Sequence, residues 1–232
     1  MNSAIIVAAG QGTRMGSGQD KLFLEVAGRP VIAHSWGAFD AADRIDEIVV
    51  VVRDGLQNAF QTLAAECKFA KPFRLVPGGA ARQDSVWNGL QAINGAAELV
   101  AIHDGARPCV SQGLIQAVLL AAAAEGAAVA ARKVTDTIKE SNGGQTIART
   151  VDRARLWSVQ TPQAFRVEVI RRALAAARQQ GLSLTDDTAA CELIGQPVSL
   201  VESAELNPKV TVRADLPLVA ALLSRSPQPQ TA

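Results

Sequence analysis

Short apolar, β-branched runs alternate along this chain with stretches of helical spacing, and that alternation restricts its fold more than any other feature. Residues 4–7, 47–52, 73–76, 99–102 and 127–131 read as strands buried on both faces. Between them, residues 31–42, 56–66, 81–93 and 114–125 place apolar side chains at helical intervals. A strand–helix–strand series of this kind implies long crossovers between parallel neighbours. The expected architecture is a three-layer α/β/α domain around a mostly parallel sheet. Ligands of such sheets bind beyond the carboxyl ends of the strands. Polar clusters do follow the first, third and fourth runs, at 8–21, 78–85 and 103–107.

Residues 133–151 break the rhythm. They are polar, contain Asn142, Gly143 and Gly144, and alternate in character on the approach to these glycines, as an extended hairpin would. Such an arm has little apolar surface of its own to bury. The residues alone leave open a surface excursion or a subunit contact. Helical patterning returns at 168–179 and 187–194, followed by a strand-like run at 198–201 and a last helix at 214–223. One domain over 1–225 is expected, with residues 226–232, rich in Pro and Gln, as a disordered tail.

Nearly half of the 232 residues are apolar (48%), 19% are charged and the net charge is +1, the profile of an ordinary globular protein. No basic stripe with interleaved aromatics is present, which argues against a nucleic-acid partner. The three cysteines, Cys67, Cys109 and Cys191, form no C-x-x-C pair and read as small apolar residues in a reducing compartment. The N-terminus lacks the basic segment of a secretory signal. The apolar stretch 118–131 is interrupted by Glu125 and Gly126 well short of a membrane span. A cytoplasmic protein with no membrane partner is expected.

The first strand runs into A-A-G-Q-G-T-R-M-G at residues 8–16, with Lys21 following. Glycines let backbone N–H groups turn towards an anion, and Arg14 and Lys21 add fixed charge beside them. A polyphosphate is the natural guest. A dinucleotide fingerprint would need glycine at Met15 and an acidic residue closing the second strand, which instead ends Val52-Arg53. A Walker A loop would need Gly before and Ser or Thr after Lys21, where Asp20 and Leu22 stand. The remaining match is to the nucleotidyltransferase pattern G-x-G-T-R-M followed by P/D-K. Its chemistry suits attack on an α-phosphate, where charge grows on the equatorial oxygens and cations stabilise the transition state above the ground state.

The cluster after the third strand is G-G-A-A-R-Q-D-S at residues 78–85. Its glycines allow backbone to reach a base edge, while Ser85 suits either that base or a helix cap. The fourth strand ends His103-Asp104-Gly105-Ala106-Arg107. Asp104 suits ribose hydroxyls, a metal-bound phosphate or the turn itself; Arg107 suits a second phosphate or Asp104. His103 and His34 read as structural, as do Trp36, Trp87 and Trp157. Later hydroxyls and cations at 150–153, 160–163, 184–187 and 207–211 are each weak signals of an acceptor phosphate site.

Together these pieces resemble the 2-C-methyl-D-erythritol 4-phosphate cytidylyltransferase family of the non-mevalonate isoprenoid pathway. The likeness runs in order through A-A-G-x-G-x-R-M, D-K, G-G-x-x-R-x-D-S-V, H-D-x-A-R-P, D-T-I-K, T-V-D-R, Q-T-P-Q, T-D-D and N-x-K-V-T. It implies a Rossmann-like nucleotidyltransferase fold with a protruding β-arm, CTP and methylerythritol phosphate as substrates, and Mg²⁺ as cofactor, held mainly by the CTP phosphates. A cytidylyltransferase for another polyol phosphate, such as ribitol 5-phosphate, is the alternative. By the same resemblance, Arg14 and Lys21 stabilise the transition state, and Arg153 and Lys209 position the attacking phosphate. Ala8, Ala9, Gly10, Gly12, Gly79, Asp84, Ser85, Asp104 and Gly105 belong to the nucleotide side. Asp104, Arg107, Thr137 and Thr161 join Arg153 and Lys209 on the acceptor side. The resemblance also implies a homodimer, with the arm at 133–151 crossing to complete the neighbour's site. Three departures stand out: Val7 and Asp20 where proline is common, and Gly105 where alanine is.

Overall fold

The structure is a computed structural model and describes residues 1–10 and 20–225. In chain order the elements are β1 (Asn2–Ala8), β2 (Glu25–Val26), β3 (Arg29–Pro30), α1 (Val31–Asp40), β4 (Glu47–Val52) and α2 (Gln57–Cys67). Then come β5 (Phe73–Pro77), α3 (Arg82–Ala92), β6 (Leu99–Asp104), α4 (Gln112–Glu125) and β7 (Ala127–Lys133). The arm carries β8 (Lys139–Ser141) and β9 (Ile147–Thr150); the rest is β10 (Trp157–Arg166), α5 (Val167–Gln179), α6 (Thr188–Leu193), β11 (Ser199–Glu202) and α7 (Leu216–Leu223).

Seven strands form one sheet in the order β11-β7-β10-β6-β1-β4-β5. All its pairings are parallel except those of β10, which runs antiparallel between β6 and β7. Continuous apolar runs suit strands covered on both faces, and β4 is buried at all its positions. One face packs on α1, α2 and α4 through Trp36, Phe39, Phe60 and Val118. The other packs on α3, α5 and α6 through Val86, Leu90, Ile170, Leu174 and Cys191. These are the expected three layers.

The antiparallel β10 was not expected. Its sequence, WSVQTPQAFR, has no apolar period, and the polar cluster at 160–163 lies inside it. Its pairing with β7 shifts register between Val159 and Gln163, around Pro162, which has no N–H to give the ladder. The expected helix at 214–223 is likewise divided, with a 3₁₀ turn at Arg213–Asp215 before α7. The expected hairpin is present but shorter than its alternating residues suggested, with Lys139 opposite Thr150 and Gly143 in the turn at φ 84°.

Two features of this topology build the site. The chain moves from β1 to one side through β4 and β5, then crosses to β6 on the other side, so the strand order reverses at β1. Register places Ala8 opposite Val52 and Val7 opposite Asp104, so the strand ends and their polar clusters lie level at one rim. In addition, Val210 packs with Val26, Val31 and Val219, and its N–H donates to the Ala106 carbonyl at 2.8 Å. That small apolar cluster returns Lys209 to the rim, 105 residues beyond Asp104.

Candidate active site

Above the rim lies a cavity of about 260 Å³. The expected residues Ala8, Ala9, Gly10, Lys21, Gly79, Ser85, Asp104 and Lys209 all line it. The Gly78–Gly79 backbone approaches too closely for side chains: a Cβ on Gly78 would come within 2.3 Å of Ala9 Cβ, and one on Gly79 within 2.2 Å of Asp84 Cβ. Ser85 Oγ accepts from the Gly79 N–H at 3.1 Å and donates to the Ala81 carbonyl at 3.2 Å, tying the turn to α3. Asp84 is not among the described lining residues. Its carboxylate accepts from the Ala81 N–H at 3.1 Å and from Arg178 at 3.1 Å, and that guanidinium lies over the Trp87 ring. It shapes the turn from behind.

A second cavity, of about 490 Å³, adjoins the first and shares Arg82, Asp104 and Lys209 as a common wall. Arg107 and Thr161 also line it, together with Asp186 and Thr188. The shared wall is an ion cluster. Lys209 Nζ donates to Asp104 Oδ2 at 2.7 Å, Arg82 Nε donates to Oδ1 at 3.2 Å, and Arg107 Nε lies 4.0 Å away. Burial alone would raise the Asp104 carboxyl, but Arg82, Lys209 and Arg107 reverse this and hold it well below the usual carboxylate range. Arg82 also donates to the buried Asp187 at 2.9 Å. Burial raises the Asp187 carboxyl, and the guanidinium offsets this only in part. Gln163, from β10, fixes the acidic loop by donating to Asp186 at 2.9 Å and accepting from the Asp187 N–H at 3.1 Å.

His103 lies beneath Asp104, fully buried. Thr161 Oγ accepts from the Asp104 N–H at 3.1 Å and lies 3.1 Å from His103 Nδ1; His103 Nε2 lies 3.1 Å from the Arg107 carbonyl. With the proton on Nε2, every group in this chain is satisfied: Thr161 donates to the ring and the ring donates to Arg107. Burial pushes the His103 imidazole down to about 4. Since the folded state binds this proton less tightly than the unfolded chain, its contribution to stability is complete above pH 6.5 and is lost as pH falls towards 4. The loss should approach about 3 kcal/mol. Urea midpoints measured between pH 7 and pH 4.5 should therefore fall with pH. The slope should largely survive in His34→Gln, which removes the other, less buried histidine. A flat profile would refute the neutral, buried assignment.

Of the remaining expected residues, Gly105, Thr137 and Arg153 line neither described cavity. Gly105 is packed under the rim, where a Cβ would come within 2.6 Å of Ile32 Cδ1, and its carbonyl accepts from Ser35 Oγ at 2.8 Å. Thr137 belongs to the arm and Arg153 follows it, in a 3₁₀ turn at Arg153–Arg155; both are exposed, and Arg153 donates to the Thr135 carbonyl at the base of the arm. Arg14 and Gly12 lie outside the described residues. So does the tail at 226–232. Sequence reasoning gave no role to Arg82 or Asp187. The only signals were the arginine inside G-G-x-x-R and the second aspartate of T-D-D.

With this geometry in place, comparisons with known proteins are informative. The family model IspD, 2-C-methyl-D-erythritol 4-phosphate cytidylyltransferase, matches residues 2–225. Relatives bearing that enzyme's name include one from Pelotomaculum thermopropionicum, 43% identical over 95% of this chain and 93% of its own. Another, from Geobacillus kaustophilus, is 44% identical over 95% of this chain and 96% of its own. Among solved structures, the 4-diphosphocytidyl-2C-methyl-D-erythritol synthase of Anaerococcus prevotii superposes with a TM-score of 0.84 at 30% identity, covering 97% of this chain and 98% of that one. Fold, rim geometry and likeness along nearly the whole sequence agree, and the chain belongs to the 2-C-methyl-D-erythritol 4-phosphate cytidylyltransferase family.

Proposed function

We propose that this protein transfers the cytidylyl group of CTP to 2-C-methyl-D-erythritol 4-phosphate, giving 4-diphosphocytidyl-2-C-methyl-D-erythritol and pyrophosphate. The observation that carries this reading is the pair of adjoining cavities that share Arg82, Asp104 and Lys209. One is walled by close-approaching backbone, as a nucleotide requires; the other is edged by hydroxyls and cations, as a polyol phosphate requires. An oxygen of the acceptor phosphate attacks the α-phosphorus in line, and the bond from that phosphorus to the bridging oxygen of the β-phosphate breaks as pyrophosphate leaves. The attacking oxygen is already ionised near neutrality, so placement and charge stabilisation suffice without a general base. Lys21, at the nucleotide cavity, and Arg14 balance charge growing on the α-phosphate. Lys209 and Arg107 hold the acceptor phosphate. Arg107 lines the acceptor cavity, and its bond to the Asn207 carbonyl at 2.7 Å fixes the guanidinium there.

Mg²⁺ is proposed as a ligand of the triphosphate, supplying charge neutralisation to the departing pyrophosphate. Among the described residues no three His, Cys, Asp or Glu side chains are grouped as a metal cage, and Asp104 is already engaged by cations. The enzyme is proposed to be a cytoplasmic homodimer. Residues of β8 and β9 are exposed throughout, and Ile147 is 66% exposed, so among the described residues the arm has little to lie against. A second copy would cover it and receive Thr137 and Arg153. Among the described residues no helix is long and apolar enough to cross a membrane.

The test is pyrophosphate release from CTP with a panel of polyol phosphates. Methylerythritol phosphate should turn over, and ribitol 5-phosphate should not. Turnover of ribitol 5-phosphate alone would reassign the acceptor, and CTP binding without release would make the protein a sensor.

A further inference from the structure

We infer that Asp20 and Arg53 are positioning residues for Lys21, setting that cation from outside the cavity; the inference rests on the reading that Lys21 acts on the transferred phosphate. Lys21 opens a three-residue 3₁₀ turn, Lys21–Phe23, too short to hold itself. Asp20 caps it. One carboxylate oxygen accepts from the Leu22 N–H at 3.1 Å, and the other accepts from the Arg53 guanidinium at 3.0 Å. The Asp20 side chain is only 8% exposed, so its charge requires a partner. Beyond the cap, Leu22 is buried in the core and Phe23 packs edge-on to Phe60, with centroids 5.1 Å apart. Lys21 Nζ then donates to the Val210 carbonyl at 3.1 Å, next to Lys209.

Arg53 is placed to do this because it follows directly on β4. The last residue of that strand, Val52, is paired with Ala8 and accepts the Gly78 N–H at 2.8 Å. The ion pair thus ties the Lys21 turn to the same rim that carries both backbone walls of the nucleotide cavity. Two peculiarities of the sequence acquire one cause. Asp20 stands where proline is common, and Arg53 closes a strand where a dinucleotide-binding protein would carry an acid. Asp20 has φ −69°, which a proline ring would fix without any partner, and ψ 122°, which proline accommodates. Cap and ion pair together do what a ring does elsewhere.

The test is a double-mutant cycle with an independent probe of Lys21. Arg53→Ala should lower kcat about tenfold, since misplacing a transition-state cation by about an ångström costs that much or more. In a Lys21→Ala background the same change should lower kcat no further. Asp20→Ala should behave like Arg53→Ala, and Asp20→Pro should rescue kcat even when combined with Arg53→Ala. Equal losses from Arg53→Ala in both backgrounds, or failure of the proline rescue in a folded variant, would overturn the assignment. Carbon-13 methylation of lysines gives a Lys21 NMR signal, identified by its loss in Lys21→Arg, and Arg53→Ala should shift it. An unmoved signal with Lys21→Ala inactive sinks the anchor alone. A moved signal with Lys21→Ala fully active sinks the assumed role of Lys21 and leaves the anchor standing.

Discussion

Lys21→Ala lowers kcat by about 10²-fold or more while leaving the protein folded and KM for CTP changed far less; this is the expected result of removing a donor used chiefly in the transition state. Lys21 lies at the cavity mouth and is partly exposed, so its loss opens no hole in the core. The turn beneath it is kept by Asp20 and by the burial of Leu22. In the proposed reaction the cation faces phosphorus as it passes from four to five oxygens, and its attraction grows as charge gathers there. Arg14→Ala should give a loss of the same order, by the chemistry its sequence position implies. Single-turnover pyrophosphate release separates the chemical step from binding. Full kcat in Lys21→Ala would remove the residue from the mechanism.

Lys209→Ala and Arg153→Ala are each expected to lose most acceptor use, yet a mixture of the two proteins should regain activity that neither has alone. Lys209 makes a 2.7 Å charge-assisted bond to Asp104 on the wall between the cavities, and an acceptor phosphate arriving there would compete for it. Removing such a cation should lower kcat/KM for the acceptor about 10- to 100-fold, with a smaller effect on CTP. Arg153 lies directly after the arm, joined to it through the Thr135 carbonyl, and lines neither described cavity of its own chain. If arms cross between copies, a mixed dimer holds one site with both defects and one with neither. Random exchange of subunits then restores about a quarter of the sites. If activity in the mixture stays at the level of the parent variants, Arg153 does not serve the neighbouring copy. Sedimentation of the mixture provides the check that dimers form.

How much of this could be read along the chain differs from element to element. The runs that became β1, β4, β6 and β7 were legible because strands buried on both faces require largely unbroken apolar sequence, whereas β5, at the sheet edge and only half-buried, was legible through its place in the strand–helix rhythm. β10 was hidden because its polar residues face functional neighbours: Thr161 supports Asp104, and Gln163 holds Asp186 and Asp187. A strand recruited to build a site loses the periodicity that announces a strand. Gly79 and Ser85 could be assigned to a turn from local chemistry, because a glycine and a cap act on their immediate neighbours.

By itself the sequence determined the layered fold, the strand ends that carry the polar clusters and the family, since apolar period, glycine placement and motif order are properties of neighbouring residues. Only the tertiary structure decided which charges meet. Arg82 joins Asp104 and Asp187 from positions 22 and 105 residues away, Lys209 reaches Asp104 across 105, and Arg53 reaches Asp20 across 33. Ion pairs act through space at a few ångströms and are indifferent to separation along the chain, so no local pattern could reveal them. Folding brought Asp20 to Arg53 beside Lys21, and Arg82 to Asp104 and Asp187 on the wall between the two cavities.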